Sequence, residues 1–390
     1  MLRRLAPNVW ILGLVSLATD LSSEMLYPLI PLFLTQTLGA APAVVGLIEG
    51  AAEMTASLLR GFSGVWSDRS GRRKPLVVAG YALSAAAKTL LALVTTWPGV
   101  LAVRVADRFG KGLRATARDA MLAESCEERD RGAAFGLHRS MDQVGAVLGP
   151  LAAIPLLAWA GGSFRTVFLV AAIPALAGVA LLAAAKETGA GGAGEAVRSR
   201  IGIRSLPRTF WLFLALWLPF TLGNSADAFL LLRAQNLGAS NQQTILLFAL
   251  FNAVTVAASF PGGWLSDKAG RKPVLLAGLG AFALAYGAIG AGRPPLWAAF
   301  AVYGVYAAVA EGALRALIVD LVPAQMKASA LGAFGMITGV LTLCANLLAG
   351  WLWQAVSPAA PFIAGAAGAL ITLALLAAAF PKPDMQADVD

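Results

Sequence analysis

Long apolar stretches separated by brief polar breaks dominate the chain. A helix needs about 20 apolar residues to cross a bilayer. Runs near 9–35, 43–66, 75–94, 98–123, 132–159, 164–185, 208–234, 241–265, 273–292, 295–322, 328–354 and 359–380 reach about that length. The pattern predicts an all-α integral membrane protein with twelve transmembrane helices. The breaks carry helix-stopping residues, as in Thr95-Thr96-Trp97-Pro98-Gly99 and Gly292-Arg293-Pro294-Pro295. Only 186–207 is long and polar, a linker that divides a six-helix half at 1–185 from a second at 208–380, with a tail at 381–390. Arg3 and Arg4 ahead of an apolar run, then Ser16-Leu17-Ala18, have the outline of a signal peptide. The run continues to Leu34, so the segment is expected to stay as the first helix.

Composition supports lipid as the solvent. Of 390 residues, 58% are hydrophobic and 13% charged, against about 45–50% and about 25% in globular chains. A soluble enzyme, a nucleic-acid binder and a secreted disulfide scaffold are excluded. The net charge of +9 reflects topology. On one side of the predicted membrane stand Arg3, Arg4, Arg69, Arg72, Arg73, Lys74, Arg129, Arg131, Lys186, Arg198, Arg200, Arg204, Arg208, Lys268, Arg271, Lys272, Lys327 and Lys382. The opposite loops hold Arg165 and Arg293. The positive-inside rule then puts both termini and the linker in the cytoplasm, in an inner membrane. Cys126, Cys344 and His138 are the only residues of their kinds and lack zinc-site spacing, so no metal or cofactor is expected.

Three matches share one offset of 199 residues: Leu38-Gly39 with Leu237-Gly238, Asp68-x-x-Gly71-Arg72 with Asp267-x-x-Gly270-Arg271, and Ala134-Phe135-Gly136 with Ala333-Phe334-Gly335. Two homologous halves in parallel orientation follow. The loop Gly64-Val65-Trp66-Ser67-Asp68-Arg69-Ser70-Gly71-Arg72-Arg73-Lys74 and its echo Gly263-Trp264-Leu265-Ser266-Asp267-Lys268-Ala269-Gly270-Arg271-Lys272 resemble the cytoplasmic loop motif of the major facilitator superfamily of secondary transporters. The resemblance covers the whole chain. It implies that Asp68 touches the start of the eleventh helix and that the cluster latches an outward-open state. Asp119 and Asp320 are the candidate partners of Arg72 and Arg271. Gly145-Ala146-Val147-Leu148-Gly149-Pro150 resembles a Gly-x-x-x-Gly-Pro motif of exporting antiporters in that superfamily. A Gly-x-x-x-Gly in a membrane helix is also a packing face.

Charges inside the predicted helices are costly, about 2.5–3.5 kcal/mol at the centre, and they crowd into the first half. Asp20, Ser23, Glu24 and Tyr27 share one helical face, as do Glu49, Glu53 and Arg60, and Arg104, Asp107, Arg108, Lys111 and Arg118. The resemblance puts the first and fourth helices at the central cavity, so Asp20 and Glu24 are expected to neutralise Arg104 and Arg108. In exporters of the superfamily the position of Arg104 serves proton transfer; Asp107 and Arg108 depart from that pattern. Asp20, Glu24, Glu53, Arg104, Asp107, Arg108, Asp142, Asp227, Glu311 and Arg315 are the candidates for substrate binding and proton coupling.

The expected function is secondary active transport of a small organic solute, as proton-coupled efflux by alternating access, with the bilayer, substrate and protons as partners and no nucleic acid. Uptake of a small anion or polar metabolite is the alternative within transport. A receptor or a membrane-embedded enzyme lacks support, because neither an added soluble domain nor a nucleophile–base set is visible. A phosphate-cradling loop for ATP is missing too. The resemblance implies a monomer.

Overall fold

The computed structural model describes residues 5–70, 72–188, 205–292 and 295–380, apart from the side chains of residues 64, 65 and 68–70. Gly64, Asp68, Arg69 and Gly71 of the first loop motif, most of the linker and the 381–390 tail therefore lie outside the described residues. Among the described residues, twelve rods follow in order: α1 (Pro7–Thr37), α2 (Pro42–Ser70), α3 (Lys74–Leu91), α4 (Trp97–Glu124), α5 (Arg131–Trp159), α6 (Phe164–Leu181), α7 (Arg208–Asn236), α8 (Asn241–Ala269), α9 (Arg271–Ala291), α10 (Leu296–Asp320), α11 (Lys327–Ala355) and α12 (Ala360–Ala379). Prolines open α1, α3, α4 and α12, where the missing N–H removes no helical bond.

Ten of these rods are long and apolar enough to cross a membrane; α3 and α4 are the two that are not. The reason is charge. Lys74 and Lys88 lie in the short α3, and α4 carries Arg104, Asp107, Arg108, Lys111, Arg114, Arg118, Asp119 and Glu124. These two helices pack on each other at paired glycines: a Cβ on Gly80 would meet Gly110 O at 2.6 Å. Glycine lets the backbones close in, and several α3 and α4 charges turn inward from there.

The first helix of each half is broken at matched places. In α1 the regular helix stops at Leu26 and resumes at Leu29, around Pro28, which has no N–H to give. In α7 it stops at Gly223 and restarts at Asp227 through extended Asn224 and Ala226. Tyr27 and Ala226 are 199 positions apart, the offset of the repeat. Past each break, Gly39 (φ 64°) and Gly238 (φ 96°) adopt the left-handed turn that ends the rod. The Leu-Gly match in the sequence is thus a matched helix stop.

The described residues gather into two compact units, one drawn from Met1–Arg198 with Ala226–Ala249, the other from Ser199–Ser225 with Leu250–Asp390. In the first, α1 packs on α5 and α6, α2 on α4, and α3 on α4 and α6. In the second, the Arg208–Gly223 part of α7 packs on α12 and α11, and α9 packs on α10 and α12. Four of these neighbour pairs correspond across the repeat, but one seam differs. A Cβ on Gly145 would stand 2.9 Å from Leu17 O, and one on Gly149 2.7 Å from Glu24 Cβ. The offset places Cys344 and Leu348 at the equivalent positions of α11, so this backbone-to-backbone approach belongs to the first half.

Candidate functional site

The α1–α5 seam carries the acids of α1. Gly145 lies against Asp20 and Gly149 against Glu24, so the glycine pair sets where both carboxylates stand. Neither acid has a hydrogen bond or ion pair among the described residues, and both are half-buried. The expected neutralisation of Arg104 by Asp20 and Glu24 is corrected by the structure. Arg104 of α4 is buried and donates from Nε and Nη2 to Glu49 of α2, at 3.1 Å and 2.8 Å to Oε1 and 2.7 Å to Oε2. Asp107 adds a contact at 3.7 Å. A bidentate, buried pair of this kind is strong only as a unit, and it leaves the α1 acids free.

A narrow cleft opens beside the pair, lined by Ser23, Glu24, Tyr27, Lys88, Arg104, Asp107 and Arg108 with Leu26, Ile30, Leu91 and Val103. Lys88 is fully buried and donates to Ser23 Oγ at 2.7 Å and Thr19 O at 3.2 Å. Arg108 has no carboxylate within ion-pair distance among the described residues, and its buried Nε lacks a hydrogen-bond partner. Its expected pairing with Asp20 and Glu24 is therefore not made. Arg104 lies 5.9 Å from the Tyr27 ring centre, and Tyr27 stacks on Phe248 at 5.2 Å.

Deeper along α4, Arg114 donates to Ser84 Oγ at 2.7 Å and sits 4.2 Å over the Tyr81 ring. On α5, His138 Nδ1 is 3.5 Å from Asp142 Oδ2; the remaining atoms His138 Nε2 and Asp142 Oδ1 are buried without partners among the described residues. Other candidates stand elsewhere. Glu53 pairs at 3.4 Å with Arg60 on its own helix, both side chains nearly half exposed. Asp227 begins the second part of α7. Glu311 and Arg315 bond each other at 2.6 Å on the exposed face of α10.

In the loop motif, Arg271 contacts Asp267 and comes within 3.7 Å of Asp320, as expected. Asp119, expected to take Arg72, instead accepts from Arg118 at 2.9 Å. The described anchor of the first loop is Arg73, which donates to Glu124 at 2.8 Å and to Ser67 at 2.9 Å. Glu187 accepts from the backbone N–H groups of Arg73 and Lys74 at 2.9 Å and 3.0 Å, an anion at the helix N-terminus. Lys74 reaches Ala185 O past the end of α6, and Lys272 reaches Phe380 O past the end of α12. Each thereby caps orphan carbonyls at its half's last helix.

Glu49, Lys88 and Tyr27 are the members that the sequence reading left out of the site. Lys88 had a signal, being the only charge of α3 beyond its first residue.

The family model of the Major Facilitator Superfamily matches residues 12–234 and 212–389. The chain is 34% identical over 386 residues to an uncharacterized MFS-type transporter of Methanocaldococcus jannaschii, covering 96% of this chain and 95% of that one. It is 32% identical over 142 residues to the multidrug resistance protein MdtH of Aeromonas hydrophila subsp. hydrophila, covering 36% of each. Its fold superposes on the crystal structure of the nucleoside transporter NupG with a TM-score of 0.77 at 15% identity, covering 96% of this chain and 100% of that one. Matched breaks, matched packing and these likenesses agree: the chain belongs to the major facilitator superfamily of membrane transporters.

Proposed function

We propose that the protein is a proton-coupled exporter of a small organic solute, working by alternating access with all twelve rods in the membrane and both termini and the linker in the cytoplasm. The observation that carries this is the division of labour in the first half. Arg104 is locked to Glu49, while Asp20 and Glu24 stand unpaired, Glu24 on the cleft wall. An acid without a fixed ion pair is free to gain and lose a proton as its surroundings alternate between wet and dry. The twelve-span topology is supported by α3 and α4, whose charges fall largely inside the bundle, where membrane proteins tolerate them.

Export is supported by the glycine seam between α1 and α5 and by the partial likeness to a multidrug resistance protein. Membership of the superfamily supports a carrier rather than an enzyme, with the monomer as its expected working form. The two loop motifs act as gating clusters in this reading.

The test uses purified protein in proteoliposomes with an internal pH-sensitive dye. Candidate solutes should drive proton flux in wild type and fail to do so in Asp20→Asn or Glu24→Gln. Solute transport that is unchanged when the proton gradient is collapsed would overturn the coupling.

A further inference from the structure

Beside the paired Arg104 and Asp107, the cleft in the first half holds Glu24, Lys88 and Arg108, charges of both signs that are kept from one another. Glu24 has neither a hydrogen bond nor an ion pair among the described residues. Its backbone is clamped by Gly149, where an added Cβ would stand only 2.9 Å from the Glu24 carbonyl carbon. Lys88 is held by neutral acceptors, Ser23 Oγ and Thr19 O, with no carboxylate of the described residues in ion-pair reach. Arg108 has none either, and Glu53, Asp107 and Glu49 act on it only from longer range. Left to themselves, such charges would pair, since separation in a low-dielectric site is costly. The scaffold prevents this and presents one acid and two bases along the lining of a single cleft. Tyr27, Leu26, Ile30, Leu91 and Val103 complete the lining with apolar surface.

A pure anion would gain Arg108 and Lys88 but face Glu24. A pure cation would gain Glu24 but face two bases. A solute carrying both charges satisfies all three groups and adds no net charge to a buried cleft. We propose that this cleft takes a small zwitterion with an apolar body, its ammonium on Glu24 and its carboxylate on Arg108 and Lys88. The assignment rests on the reading of the protein as a transporter with its cleft as the substrate site. It also makes the ammonium and a proton compete for the same Glu24 carboxylate.

Calorimetric titration of the purified full chain in detergent tests this with L-leucine and L-phenylalanine, their methyl esters and their N-acetyl derivatives. The esters keep only the ammonium and the N-acetyl acids only the carboxylate. At least one free amino acid should bind at least about tenfold tighter than both of its derivatives, the worth of a charged hydrogen bond. Glu24→Gln should erase the advantage over the N-acetyl acid, and Arg108→Gln or Lys88→Met the advantage over the ester. Each variant is first checked for wild-type elution, with Glu24→Asp and Arg108→Lys as substitutes where one fails. An N-acetyl acid or an ester binding as tightly as its parent, or no saturable binding of either amino acid by wild type, overturns the proposal. Zwitterion binding without proton flux in liposomes would overturn coupling alone, and flux driven only by singly charged solutes would do the reverse.

Discussion

Replacing Gly149 by alanine probes the tightest helix contact at the site. The added methyl group would lie 2.7 Å from Glu24 Cβ and 2.9 Å from both the Glu24 carbonyl carbon and Leu21 O. Carbon atoms pack best at about 3.5–4.0 Å, so α1 and α5 must part by about 1 Å. Two of the three obstacles are backbone atoms, which cannot rotate aside. Overpacking of this kind costs about 1–3 kcal/mol. Alanine returns about 0.8–1.0 kcal/mol over glycine inside a helix, which would mask part of the loss. Gly136, on the same helix, supplies the control, because a Cβ there meets nothing within 4 Å. Gly136→Ala keeps the propensity gain without the clash, so the gap between the two variants isolates the seam at about 1–3 kcal/mol. Thermal unfolding in detergent, followed by tryptophan fluorescence, measures that gap as a melting temperature several degrees lower for Gly149→Ala. If Gly149→Ala melts at or above Gly136→Ala, the close approach of α1 and α5 is wrong, and with it the argument that the glycines position Glu24.

The buried Arg104–Glu49 pair should behave as a unit. Glu49→Gln strands the guanidinium and is expected to lose about 3–5 kcal/mol, while Glu49→Leu combined with Arg104→Met recovers most of it; equal losses in thermal unfolding would mean the two residues are not coupled. Lys88→Met removes a buried charge that has only neutral partners, so its melting temperature should equal or exceed that of wild type, and a clear drop would show that the lysine serves stability. Glu311→Gln breaks an exposed pair one turn apart and should change stability by no more than about 0.5 kcal/mol, with a larger loss indicating burial of that face.

Much of the fold was legible because a bilayer demands long apolar helices and the repeat fixes their correspondence. Gly39 and Gly238, matched by offset alone, both turn out to be left-handed helix stops. The breaks at Tyr27-Pro28 and Asn224–Ala226 were hidden inside apolar runs that read as continuous. Periodicity correctly put Asp20, Ser23, Glu24 and Tyr27 on one face, but a face does not name its partner. Arg104 had acids within reach on α1, α2 and its own helix, and nothing in the linear pattern ranks Glu49, 55 residues away, above Glu24. That choice is made by helix packing, as is the substitution of Arg118 for Arg72 at Asp119.

The two halves also show what the duplication kept. Packing neighbours and helix stops correspond across the offset, whereas the chemistry does not. The positions of Glu49, Arg104 and Asp107 are taken in the second half by Phe248, Tyr303 and Tyr306. There Tyr303 lies 5.1 Å from Phe251, 5.8 Å from Tyr286 and 5.4 Å from Tyr306, and Tyr306 lies 4.9 Å from Phe282. Aromatic pairs contribute about 0.5–1.5 kcal/mol each beyond their burial and need no counter-ions. The ion cluster of the first half must instead overcome the desolvation of every charge. A fold that can fill these positions with rings has no structural need for charge in their place. The charges of the first half therefore fit the roles in proton and solute recognition proposed for them.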